Sequence, residues 1–143
     1  DRNQTRTSNR ISKMSPERSA TIRSFQDLRV YQRAFAVAQE VFELSHPWPK
    51  REQYALTDQV RRSSRSVCAN IAEAWYRRRY PKAFVSNLYN AGAEASETLV
   101  WIDFAVECGY LGDGRAAELR NELNYIIGGL TRMAQHPNKW CSR

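Results

Sequence analysis

A chain of 143 residues suits one domain with a substantial core, and its 42% hydrophobic and 26% charged residues are ordinary for a globular protein. No apolar run approaches the roughly 18 residues that a membrane-spanning helix needs, and the N-terminal stretch lacks the apolar centre of a secretory signal. The formal net charge of +7 and pI of about 9.7 favour a nucleic-acid partner, and three cysteines without paired metal spacing fit a reducing cytoplasm, with Cys68 and Cys108 as small core residues.

Residues 1–23 hold six Lys/Arg, Arg18 and Arg23 among them, against Asp1 and Glu17, with almost no apolar side chain. Such a segment cannot build a core, so a basic, intrinsically flexible arm is expected. It is either a solvated tail or a segment ordered by a polyanion or a neighbouring subunit.

A helical domain is expected over residues 24–136. Ser24 and Asp27 have capping-box spacing, so the first helix opens there. It carries two apolar stripes: Leu28, Tyr31, Phe35, Ala38 and Phe42, then Val30, Ala34, Val37, Val41 and Leu44. One stripe suffices for a core, so the second implies a subunit interface or deep packing between two neighbours. Pro47 and Pro49 end this helix, and Pro49 suits the first position of the next.

The second helix is expected to run to about Arg79, with Val60, Ser64, Val67, Ile71 and Trp75 on its buried face. Pro81 marks the start of the third, whose stripe is Phe84, Leu88, Ala91, Ala95, Thr98, Ile102 and Val106. Gly109 has the position of a helix C-cap, and Asp113 can cap the fourth helix. The last stripe is Leu119, Leu123, Ile126, Leu130 and Met133. Gly128 and Gly129 inside it each cost about 1 kcal/mol relative to Ala, and a close packing contact is the expected compensation. Pro137 stops the helix, leaving residues 137–143 as a tail. Four amphipathic helices without strand-like alternation make an all-α, antiparallel up-down four-helix bundle.

Catalytic signals are missing. His46 and His136 have no ligand-spaced Cys, Asp or Glu, and neither a phosphate-cradling Gly-rich loop nor a nucleophile motif occurs. No cofactor and no metal are expected, and the chain does not read as an enzyme. The functional material is cationic: Arg61, Arg62 and Arg65, then Arg77, Arg78, Arg79 and Lys82 among Trp75, Tyr76 and Tyr80. Cations contact phosphates and exposed aromatic rings stack on unpaired bases, so backbone-directed, salt-dependent binding is expected. Arginine also caps helix ends and bridges subunits, so a protein-only scaffold is the competing reading. Asn70 and Glu73 are expected to be structural polar residues, with the Asn70 amide fixing helix register.

The segment Arg62-Ser-Ser-Arg-Ser-Val-Cys-Ala-Asn70-Ile-Ala-Glu73 resembles the signature of the 23S rRNA intervening-sequence proteins, roughly R-R-A-A-x-S-I-x-x-N-I-A-E-G. Arg61, Arg62, Ser66, Asn70, Ile71, Ala72 and Glu73 match it. Phe25 to Gln32, Pro49 before Leu56 to Gln59, and Gly109-Tyr-Leu111 agree, so the resemblance spans about Phe25 to Met133. Ala74 departs from the usual Gly, which lets the second helix run on, and Ala93-Glu94 stands where many members have Gly-Ser. The resemblance implies a small four-helix bundle forming ring-shaped oligomers, often pentamers. It also extends to the accessory proteins of diversity-generating retroelements, which bind a reverse transcriptase and its RNA. A non-catalytic, cytoplasmic, homo-oligomeric platform for RNA or single-stranded DNA is what this implies, with no membrane partner.

Overall fold

A computed structural model describes residues 21–141. Arg18 and most of the expected arm, together with the last two residues, lie outside the described residues. Four helices follow: α1 (Arg29–Leu44), α2 (Asp58–Tyr76), α3 (Pro81–Glu107) and α4 (Asp113–Gln135), with no strand among the described residues. Each packs on its sequence neighbours, and α4 closes the bundle against α1, so α1 and α3 are diagonal.

The helix ends follow local chemistry. Ser24 and Asp27 form the expected capping box, but it heads a 3-10 turn (Phe25–Asp27) rather than α1 itself. The backbone N–H groups of Arg23 and Ser24 hold the Asp27 carboxyl below its ordinary value. Pro49 precedes a 3-10 turn (Lys50–Glu52) and a π-wound segment (Gln53–Thr57), so regular α2 starts at Asp58, later than the proline suggests. The first side chains to reach the core there are Leu56 and Thr57.

Helix α2 stops at Tyr76, short of the expected Arg79. Pro81 forces Tyr80 out of helical conformation (φ −122°, ψ 92°), and Tyr80 N–H bonds the Arg77 carbonyl in a turn. Gly109 ends α3 at φ 79°, with Gly109 N–H on Val106 O and Tyr110 N–H on Ala105 O, the paired bonds of a Schellman cap. Asp113 is not the cap of α4 but its first residue. Extended Gly112 occupies the cap, and the Asp113 carboxylate adds charge to the first turn.

The core is built as the α3 and α4 stripes require: Phe84, Leu88, Ile102, Leu119, Leu123, Ile126 and Leu130 are fully buried. In α1 the stripes part company. Val30, Ala34, Val37 and Val41 face the core, with Leu28 at its edge, whereas Phe35 is half exposed and Tyr31 and Phe42 only partly buried. Ala36 and Ala38 are small enough to bury beside this face. Gly129 lies where an added Cβ would come 2.8 Å from Val30 Cγ1, so the missing side chain lets α4 approach α1. Cys108 is exposed at the end of α3 and is not a core residue, while Cys68 is partly buried. Burial pushes the Cys68 thiol up to about 12.

Candidate nucleic-acid interface

The signature segment of α2 builds a polar bridge to α3. Asn70 donates through Nδ2 to Ser66 O at 2.9 Å, fixing its amide orientation on its own helix. Its Oδ1 accepts from Nδ2 of Asn87 at 3.3 Å, and the same amide donates to Glu73 Oε2 at 3.0 Å. Arg77 Nη1 donates to Asn87 Oδ1 at 3.1 Å. Asn87 is 3% exposed, so it is the centre of this network. Sequence reading missed it, although a polar residue three after Phe84 and next to Leu88 interrupts the buried face of α3 and is visible as such.

The arginines do not form one surface. Arg61 and Arg77 are about 24 Å apart along the α2 axis, at 1.5 Å per residue. Near the start of α2, Arg61 Nε donates to Ser45 Oγ at 2.8 Å and its Nη2 to Phe42 O at 3.4 Å, a helix-end carbonyl that Ser45 Oγ and His46 Nδ1 also approach. Arg62 pairs with Glu97 at 2.7 Å and Glu94 at 3.5 Å across to α3. Arg65 lies over the Phe42 ring at 5.3 Å and is otherwise exposed. With Arg61, Phe42 and Ser66 it lines an open groove of about 590 Å³.

At the other end of α2, Arg78 stacks on Trp75 at 3.6 Å and donates through Nε to the Trp75 carbonyl at 2.9 Å. Arg79 and Lys82 are exposed. Among the described residues no carboxylate lies in ion-pair range of Arg77, Arg78, Arg79 or Lys82. Tyr76 and Tyr80 flank them at 89% and 65% exposure.

Antiparallel packing gathers further cations here. The N-terminal part of α1 lies against the later halves of α2 and α4, as Tyr31 beside Cys68 and Val30 beside Gly129 show. Arg23, Arg132 and Lys139 therefore belong to the same end as Arg77–Lys82, and Cys141 comes within electrostatic reach of Arg78. Among the described residues, the carboxylates at this end are Asp27, occupied in the capping box, and Glu73, bonded to Asn87. Glu40, Glu43, Glu52, Asp58, Glu107, Asp113 and Glu118 all lie towards the opposite end. There Arg115 meets Glu118 and Glu40, and Arg120 meets Asp103 at 2.8 Å. The bundle thus has a basic end poor in carboxylates and an opposite end that holds most of them, where, among the described residues, Arg62, Arg115 and Arg120 are ion-paired while Arg61 and Arg65 are not.

Glu40 is fully buried between α1 and α4, 3.4 Å from Arg115 through one carboxylate oxygen. Burial raises its carboxyl to about 7 against the opposing pull of Arg115. Among the described residues no group of His, Cys, Asp and Glu is placed to hold a metal ion, and no helix is long and apolar enough to cross a membrane. His46 is spent on local structure, its Nδ1 2.7 Å from the Phe42 carbonyl.

These features define a small helical bundle with an amide-bridged second helix pair and one cationic end. Residues 26–132 match the model of the 23S rRNA-intervening sequence protein family, and the chain belongs to that family. The fold also matches the crystal structure of a protein of unknown function from the S23 ribosomal protein family of Bacteroides thetaiotaomicron VPI-5482. That likeness has a TM-score of 0.66 and 21% identity, covering 74% of this chain and 95% of the other. No match is found among curated proteins.

Proposed function

We propose that the protein is a non-catalytic, homo-oligomeric accessory protein that holds the backbone of RNA or single-stranded DNA on its basic end. The supporting observation is the uneven neutralisation of charge. Arg62, Arg115 and Arg120 are matched by carboxylates, while among the described residues exposed Arg79 and Lys82 have none, and Arg77 is held by the Asn87 amide instead of a carboxylate. Arg65 extends the cationic surface on the flank of α2, Arg23 extends it where the chain enters the bundle, and Arg18 adds a further positive charge to the chain that precedes it. Arg61 and Arg62 serve the fold first and contribute mainly to the surrounding potential.

Exposed Phe35 on α1 and Val100 and Phe104 on α3 support assembly. They lie on diagonal helices and so face opposite sides of the bundle, an arrangement suited to a head-to-tail contact, and such contacts form a ring when their rotation closes. A ring, pentameric by the family resemblance, repeats a modest cationic patch and gains avidity without new contacts. The resemblance to retroelement accessory proteins makes a reverse transcriptase with its RNA the first partner pair to test, with the protein acting in the cytoplasm.

The test is binding of RNA and single-stranded DNA by the full-length oligomer from about 50 to 300 mM salt, where log K should fall linearly with log salt. Charge reversal at Arg77, Arg78 and Arg79 should abolish retention and leave the oligomer mass unchanged. An intact oligomer that retains no nucleic acid at the lowest salt overturns the proposal and leaves the protein-only scaffold.

A further inference from the structure

We infer that the basic end selects unpaired nucleotides by stacking bases on Tyr76 and Tyr80. This rests on the nucleic-acid reading above and specifies how that site recognises its ligand.

The two tyrosines sit on either side of the α2–α3 turn closed by Tyr80 N–H on Arg77 O at 2.8 Å. Tyr76 is 89% exposed and Tyr80 65%, the most exposed aromatic side chains at this end of the bundle. Among the described residues, neither ring stacks on another aromatic ring or lies under a cation. Trp75, one residue earlier, shows the contrast: it packs against the core and its face is covered by Arg78 at 3.6 Å. Arg78 is thus fixed by its neighbour, whereas Arg79 and Lys82, which lie between and just after the two tyrosines in the chain, are exposed.

Two open aromatic faces interleaved with unneutralised cations match what a single strand presents, alternating bases and phosphates. A duplex keeps its base faces stacked on one another and offers only phosphates and groove edges, so it could use Arg79 and Lys82 but not the tyrosines. Stacking is tolerant of base identity, so the site should prefer single strands over duplexes without strong sequence preference.

The experiment compares Tyr76→Leu/Tyr80→Leu, Tyr76→Phe/Tyr80→Phe and Arg79→Glu/Lys82→Glu variants of the full-length oligomer on a single-stranded RNA and on the same strand in duplex. The leucine pair should lose about fivefold or more per ring on the single strand, keep its salt slope, and be unchanged on the duplex. The phenylalanine pair, which keeps both ring faces, should bind like the parent protein. The charge pair should weaken both ligands and flatten the salt slope. If the parent binds and the leucine pair binds the single strand equally well, base stacking is overturned and backbone binding stands. If the parent binds neither ligand, both readings fall. Loss of binding to a protein partner in the leucine pair, with RNA binding intact, would also overturn it and assign the tyrosines to that partner.

Discussion

Gly128 and Gly129 are adjacent in α4, yet replacing each by Ala should move stability in opposite directions. Removing a helix-interior glycine gains about 1 kcal/mol in either case. At Gly128 the new methyl meets only Arg132 Nη1, at 3.4 Å, the end of a long side chain that can swing away. Gly128→Ala should therefore keep most of that gain. At Gly129 the methyl would lie 2.8 Å from Val30 Cγ1, well inside the roughly 3.5–4.0 Å of a normal carbon–carbon contact. Val30 is buried and β-branched, so in a helix it has one strongly preferred rotamer and cannot turn aside. Helices α1 and α4 must then separate, at the cost of about 1–3 kcal/mol typical of overpacking. The two substitutions should differ by about 1–3 kcal/mol, with Gly129→Ala the less stable. Adding Val30→Ala should rescue Gly129→Ala, because the new methyl then fills the space that Cγ1 leaves. Urea unfolding followed by circular dichroism, at fixed protomer concentration, measures all four proteins. A Gly129→Ala variant at least as stable as Gly128→Ala would refute the close approach of α4 to α1.

Three further outcomes are expected. Glu40 has a folded value near 7 against an ordinary 4.5, so its raised value makes it a source of stability that is fully present below about pH 4.5 and lost as pH rises through 7. The loss is on the order of 3 kcal/mol; Glu40→Gln should flatten the fall in melting temperature between about pH 5 and 8, and an unchanged slope would count against the buried carboxyl. Asn87→Leu removes the donor to Asn70 and Glu73, and should cost about 2–4 kcal/mol in thermal or urea unfolding. Glu73→Ala should cost clearly less, because Glu73 is exposed and Asn87 keeps Asn70, so equal losses would contradict a network centred on Asn87. Arg79→Glu should lower RNA retention without changing the melting temperature, whereas Arg62→Glu should lower the melting temperature by setting a carboxylate against Glu94 and Glu97.

Periodicity and helix-end chemistry are local, and what they dictate was legible in the sequence. The α3 and α4 stripes, the start of α3 at Pro81, the cap at Gly109 and the need for a close contact near Gly128 and Gly129 all follow from spacing and backbone preference. The family signature also placed Asn70 and Glu73 on α2. Where local information is ambiguous, only neighbours decide. Two apolar stripes on α1 compete equally in the sequence, and the approach of Gly129 to Val30 selects the face that turns inward. The start of α2 nine residues after Pro49 depends on how residues 50–57 wind down onto the core, which no pairwise spacing records.

The candidate site divides in the same way. The density of arginine on α2 is visible in the chain, but its partition is not. Arg62 is neutralised by residues about 35 positions away on α3, while Arg79 meets no carboxylate among the described residues because antiparallel packing carries most of their acidic side chains to the other end. Asn87, 17 residues after Asn70, becomes its partner only when the α2–α3 turn folds the two helices together. Charge and hydrophobic pattern were thus set by the sequence alone. Which charges remain available to a ligand was decided by tertiary structure, because neutralisation depends on distances between helices rather than positions along one.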